Sequence, residues 1–158
     1  MSKELKTNAV RFLEKCGIDY KMQSYECKEF VDGVTVAEKL GQPAEETFKT
    51  LIAKGKSGSH YCFLLPVAEE LDLKKAAKAV GEKSVELIPV KDITRITGYV
   101  RGGCTPIGMK KQFMTVVHAS AQSLELFYIS GGRIGLQLRL SPSELVNAIN
   151  GKFAEITA

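Results

Sequence analysis

The sequence has 158 residues, 44% of them apolar and 25% charged, and its 22 Lys and Arg against 18 Asp and Glu give a formal net charge of +4. That length and balance suit one globular domain with a full-sized core. They exclude a disordered chain, a collagen-like repeat and a disulfide-stapled miniprotein. The longest apolar run, Tyr61 to Ala68 with Pro66 inside it, is too short to span a bilayer. Met1-Ser-Lys-Glu-Leu-Lys opens the chain without an apolar signal region, so the expected location is the cytoplasm, with no membrane partner. The small positive excess permits a polyanionic partner without requiring one.

In chain order, Leu5, Ala9, Phe12, Leu13 and Cys16 recur at helical spacing, and Gly17 supplies a stop. Ile18, Tyr20 and Met22 alternate with Asp19 and Lys21, which predicts a strand. Thr35-Val-Ala-Glu38 fits a capping box for a short helix that Gly41 ends. Pro43, Glu45 and Glu46 open another helical turn. Thr50–Lys54, a turn over Gly55–Ser59 and Tyr61–Pro66 predict a hairpin. Between an Asp72 cap and Gly81, residues Leu73, Ala76, Ala77 and Val80 form one apolar stripe. Thr115–His118, Leu124–Ser130 and Ile134–Leu140 predict strands, and Ser141-Pro-Ser-Glu144 caps a last helix that Gly151 terminates. No linker or repeat interrupts residues 1–158, so a single domain is expected. Helices and hairpin-linked strands mix without a regular strand–helix rhythm, which makes the class α+β, or irregular α/β.

The cysteines are Cys16, Cys27, Cys62 and Cys104, separated by 11, 35 and 42 positions. There is no Cys-x-x-Cys pair, and the nearest His–Cys neighbours are His60 and Cys62. That spacing disfavours structural zinc, so no metal site is expected and the thiols are expected to be reduced. Gly98-Tyr-Val-Arg-Gly-Gly-Cys-Thr-Pro-Ile-Gly108 has the glycine separation of a phosphate loop at Gly103 and Gly108. Met109 and Lys110 replace the Lys-Ser/Thr pair, however, and Pro106 interrupts the amides. The segment is either a plain turn or an amide-lined oxyanion site. Ser130-Gly131-Gly132-Arg133-Ile134-Gly135 joins two strand-like runs, as a hairpin turn requires, and lacks a Gly-x-Ser-x-Gly elbow. Cys104 with His118 as base would make a nucleophilic pair; the alternative is an unreactive thiol. His60 by the hairpin turn is expected at the surface. Lys49 carries little weight on composition alone.

Taken together, four segments resemble the YbaK/EbsC family over nearly the whole chain. They are Phe48-Lys49-Thr50-Leu51, Pro66-Val67-Ala68 with Leu71-Asp72-Leu73-Lys74-Lys75-Ala76-Ala77, the stretch from Gly98 to Lys111, and Ser130-Gly131-Gly132. The family includes the Cys-tRNA(Pro) deacylases, freestanding relatives of the editing domain of prolyl-tRNA synthetase. The resemblance implies a curved, partly barrel-like mixed sheet flanked by helices, with one ligand cleft. It implies a trans-editing deacylase acting on aminoacyl-tRNA, here Cys-tRNA(Pro), with prolyl-tRNA synthetase as a partner, no DNA, and no cofactor.

Within that resemblance Lys49 matches the family's essential lysine and Thr50 its neighbour. Gly102, followed by Gly103, matches the loop glycine whose amide faces the scissile carbonyl. Ser130 and Gly131 match the second glycine loop, and Tyr25 and Phe30 correspond to aromatic cleft residues. Gln137 stands where relatives with deacylase activity carry an acid, and Cys104 stands where other members carry apolar residues. The implied chemistry is attack by the substrate's own thiol on its ester, which leaves the protein to supply proximity and an oxyanion site. Two alternatives stay open: a deacylase of the same fold that removes serine or alanine with a bound water, and a non-catalytic tRNA- or nucleotide-binding module.

Overall fold

The computed structural model describes residues 6–26 and 32–158. Helix α1 (Asn8–Cys16) starts where the Thr7 side chain accepts a hydrogen bond from the Val10 N–H, and it ends at Gly17, whose φ of 71° is left-handed. Ala9, Val10 and Leu13 form its buried stripe, whereas Cys16 is exposed, so Val10 takes the place that helical spacing assigned to Cys16. Leu5 lies outside the described residues. After strand β1 (Tyr20–Ser24), helix α2 (Gly33–Leu40) is capped by Asp32, not Thr35. The Asp32 carboxylate accepts the Thr35 N–H at 2.8 Å, which puts Thr35 inside the first turn as a donor. Ala44–Glu46 forms one tight 3₁₀ turn.

Strands β2 (Phe48–Gly55) and β3 (His60–Pro66) make the expected antiparallel hairpin, in register from Phe48 opposite Pro66 to Lys54 opposite His60. Asp72 caps helix α3 (Leu73–Val80) by accepting the Lys75 N–H at 2.9 Å, but only Ala76 and Ala77 of the expected stripe are buried, and Leu73 is exposed. Strand β4 (Val85–Leu87), helix α4 (Ile93–Thr97), strand β5 (Met114–His118), strands β6 (Phe127–Ser130) and β7 (Leu136–Leu140), helix α5 (Pro142–Ala148) and strand β8 (Lys152–Ala154) complete the order. Ser141 caps α5 as expected. Its end differs: Asn150 at φ 54° takes the left-handed turn assigned to Gly151.

Two sheets result, a three-stranded one in the order β1-β7-β6 and a five-stranded one in the order β4-β2-β3-β5-β8. The first is antiparallel; the second is mixed, with β5 parallel to both β3 and β8. A parallel bridge from Thr47 to Tyr128 joins them at one corner, and among the described residues the two sheets do not close into a barrel; helices and mixed strands make the class α+β. The main core fills the space between the sheets. Phe48 and Ile52 of β2 meet Phe127, Ile129 and Leu138 there, and the Phe48 and Phe127 rings pack edge-on at 5.1 Å. Each such fully buried side chain contributes about 1.5–3 kcal/mol. The alternate residues of β2 and β3, among them Ala53, Phe63 and Leu65, pack beneath α3 in a second cluster.

Residues 156–158 run back along the segment between β3 and α3. Asp72 N–H donates to the Ile156 carbonyl at 2.8 Å, Ala158 N–H to the Glu70 carbonyl at 3.0 Å, and Lys75 Nζ to the Thr157 carbonyl at 2.9 Å.

Candidate active site

A cavity of about 470 Å³ opens at the corner where the sheets meet. Its floor is the first half of β2, from Phe48 to Ile52. It is also lined by the start of α2 with Tyr25, by the apolar stretch Leu87 to Ile93, and by Arg101, Gly102 and Cys104 with Ser130 and Gln137. The structure therefore gathers six of the residues singled out by sequence: Tyr25, Lys49, Thr50, Gly102, Ser130 and Gln137. Phe30 lies outside the described residues.

Lys49 is partly buried, and this burial lowers its proton affinity, while the charges of Glu70 and Glu69 act in the opposite direction. The Thr50 Oγ1 and Gln137 Oε1 atoms are buried and have no hydrogen-bond partner, although Gln137 is only 6% exposed. Buried polar atoms are nearly always paired, so two orphans lining one cavity indicate a polar ligand. Asp32 is the single carboxylate that the described residues place on the wall, and the N–H of Thr35 favours its ionised form.

Gly102 adopts a φ of 87°, and its carbonyl accepts a hydrogen bond from Ser130 Oγ at 3.2 Å. Its N–H has no acceptor among the described residues. Ser130 thus lines the cavity and anchors the carbonyl of Gly102. Gly103 and Gly131, by contrast, stand behind the wall and not on it. A Cβ on Gly103 would lie 2.7 Å from Arg133 Cα, and one on Gly131 would lie 2.6 Å from Leu136 Cγ. Their part is to let the two glycine loops pack in contact. Thr7 Oγ1 donates to the Gly131 carbonyl at 2.6 Å, and the Tyr99 hydroxyl reaches the carbonyls of Ile107 and Gly108, which tie this double loop to α1 and to itself.

The pairing of Cys104 with His118 does not occur. Cys104 reaches the cavity, but burial pushes its thiol up to about 11, so it stays protonated near neutrality. His118 is engaged elsewhere, with Ser120 Oγ at 2.8 Å from Nδ1 and Glu155 Oε2 at 2.9 Å from Nε2. His60 stacks on Phe113 at 5.3 Å, away from the cavity. Sequence reasoning missed the wall formed by Leu87, Ile88, Val90 and Ile93, as well as Asp32 and Arg101. The compact apolar group Leu87-Ile88-Pro89-Val90 beside a short strand was the available signal.

Residues 30–148 match the family model of the aminoacyl-tRNA editing domain. The chain belongs to that family. It is 43% identical over 153 residues to an Enterococcus faecalis protein provisionally named Cys-tRNA(Pro)/Cys-tRNA(Cys) deacylase EbsC, covering 96% of this chain and 93% of that one. Among solved structures, a hypothetical protein superposes with a TM-score of 0.87 at 25% identity, over 96% of this chain and 99% of the other. A protein described as a provisional trans-editing enzyme for prolyl-tRNA synthetase has the same fold, with a TM-score of 0.83 at 23% identity over 98% and 99% of the two chains. Membership of the editing family fits a cavity with an unpaired backbone amide and, among the described residues, no thiol–imidazole couple.

Proposed function

We propose that this protein is a single-domain, cytoplasmic trans-editing deacylase that removes cysteine from mischarged tRNA(Pro), using the thiol of the substrate itself. The observation that carries the reading is the pairing of a free Gly102 N–H with a cavity thiol held protonated, in a chain 43% identical to a protein named for this reaction. Such a site is equipped to stabilise an oxyanion and is poorly equipped to attack.

In this reading the aminoacylated terminal adenosine enters the cavity, with its ammonium toward Asp32 and its ribose edge toward Lys49. Lys49 acts as a compact cation that fixes the ester. The substrate thiol gives up its proton, available to the leaving ribose oxygen, as its sulfur attacks the carbonyl carbon; a C–S bond forms, and the Gly102 N–H meets the developing oxyanion. The ester C–O bond then breaks, and the ribose oxygen takes up a proton. Water opens the strained cyclic thioester to free cysteine. Holding sulfur against carbon supplies the rate, since effective molarities for oriented groups reach about 10⁵ M or more.

One observation favours a second reading. The unpaired Gln137 Oε1 is a neutral acceptor suited to a water or a seryl hydroxyl, which suits a deacylase for serine or alanine acting through bound water. Deacylation of Cys-, Ser-, Ala- and Pro-charged tRNA(Pro), and of Cys-tRNA(Cys), separates the two. Preferential loss of cysteine with capture of a cyclic thioester supports the first, whereas equal loss of serine without it supports the second. Adding prolyl-tRNA synthetase tests whether that enzyme supplies the discrimination among tRNAs.

A further inference from the structure

We propose that the outer face of the three-stranded sheet is the track along which the RNA strand leaves the cavity, with Lys21 and Arg139 holding the phosphate that precedes the terminal nucleoside. This rests on the reading that the cavity takes an aminoacylated 3′ end.

The register sets out the face. Lys21 lies opposite Arg139, and Arg139 opposite Tyr128; one step further, Gln23 lies opposite Gln137, and Gln137 opposite Ser130. Residues two apart on a strand share a face, so these two rungs lie on one side of the sheet. The intervening Leu136, Leu138 and Leu140 point into the core. Ser130 and Gln137, on the second rung, line the editing cavity. The first rung sits about 6.7 Å along the strands, roughly the reach of one extended nucleotide. A separate depression of about 200 Å³ lies there, lined by Lys21, Tyr128 and Arg139 among others, and Gln137 borders it as well as the cavity.

The chemistry of that rung selects an anion. Like charges directly opposite on neighbouring strands destabilise a sheet, yet Lys21 and Arg139 face each other with no carboxylate in the lining. Among the described residues neither forms an ion pair. The Arg139 guanidinium lies over the Tyr128 ring, 5.4 Å from its centroid, and its Nε is buried without a partner. A stacked guanidinium with an unused donor, beside an exposed ammonium, is a fork ready for a phosphate. Single-stranded RNA leaving the cavity would pass Gln137 and place its next phosphate between the two cations.

The test compares two cysteinyl esters, charged tRNA(Pro) and cysteinyl-adenosine, the second having no phosphate to hold. With Lys21→Ala/Arg139→Ala, kcat/KM on the tRNA is expected to fall about 10- to 100-fold, mainly through KM, while the nucleoside ester changes less than about threefold. The slope of log kcat/KM on log salt should become shallower by about one. Lys21→Glu, exposed on the edge strand, keeps the test valid should the double variant fold poorly, and it is expected to act in the same direction. Unchanged tRNA kinetics, or equal losses on both esters, overturns this inference alone. Failure of the wild-type protein to cleave either ester overturns the functional reading and this inference with it.

Discussion

Gly103 and Arg133 are in backbone contact: a Cβ at position 103 would lie 2.7 Å from Arg133 Cα and 2.9 Å from its N. The relationship locks the loop that presents Gly102 to the loop that presents Ser130. Gly103→Ala must separate them, since backbone cannot give way as a flexible side chain can. A loss of about 1–3 kcal/mol in stability is expected by urea denaturation. Deacylation should fall further than the stability loss explains, because the Gly102 peptide turns. An alanine variant with wild-type midpoint and rate would show that the loops are not coupled.

Lys49→Ala is expected to cost at least about 100-fold in kcat/KM with a change of no more than about 0.5 kcal/mol in stability, because a partly exposed lysine does little for the fold. Burial lowers the proton affinity of Lys49, so its charge is lost at a pH below the ordinary lysine range. Activity should therefore decline on the alkaline side as pH rises through that lowered value. Lys49→Arg remains charged and should lack the decline, while turning over slowly because the planar fork is wider than an ammonium. A folded alanine variant with full activity would remove Lys49 from the mechanism.

Cys104→Ala should retain activity within about threefold. The thiol has been pushed up to about 11 by burial, so little thiolate exists at neutral pH to attack an ester. Alkylation of wild-type Cys104 at pH 7.5 should be correspondingly slow. Mass spectrometric capture of a cysteinyl adduct on Cys104 would instead establish covalent catalysis.

Cysteinyl esters should be cleared at least about tenfold faster than seryl esters of the same tRNA. The two side chains are nearly isosteric, so shape alone separates them poorly. A thiol with pKa about 8.5 is partly ionised near neutrality, and an alcohol is not. S-methylation of the substrate should stop turnover while binding persists. Equal cysteinyl and seryl rates would transfer the attack to water.

What the sequence disclosed tracks how local each signal is. The β2–β3 hairpin and the Asp72 and Ser141 caps depend on neighbours within four residues, and each forms as expected. The cap of α2 was misplaced because Thr35 and Glu38 imitate a capping box that begins three residues late. Strands β4 and β8, with three residues each, are too short to show a period, and helix α4 spans barely more than one turn. For the site, the quoted family segments brought Lys49, Thr50, Gly102 and Ser130 to one cavity, as linear motifs can. The separation of Cys104 from His118 was not readable, since it depends on how β5 packs against the segment bearing Glu155. The pairing of Gly103 with Arg133 depends likewise on tertiary approach.

The hydrogen bonds from residues 156–158 reach the segment whose acids act on Lys49. Glu69 and Glu70, the acids that help it keep its proton against burial, sit on the stretch that Ala158 and Ile156 hold in place. The charge of the proposed catalytic cation should therefore respond to backbone more than a hundred positions downstream. Deleting residues 157–158 removes the bond to the Glu70 carbonyl, which should loosen the two acids, weaken their hold on the Lys49 proton, and move the alkaline decline of deacylation to lower pH. A pH–rate profile of the shortened chain, compared with that of the full chain, measures this shift directly; superimposable profiles would disconnect the two.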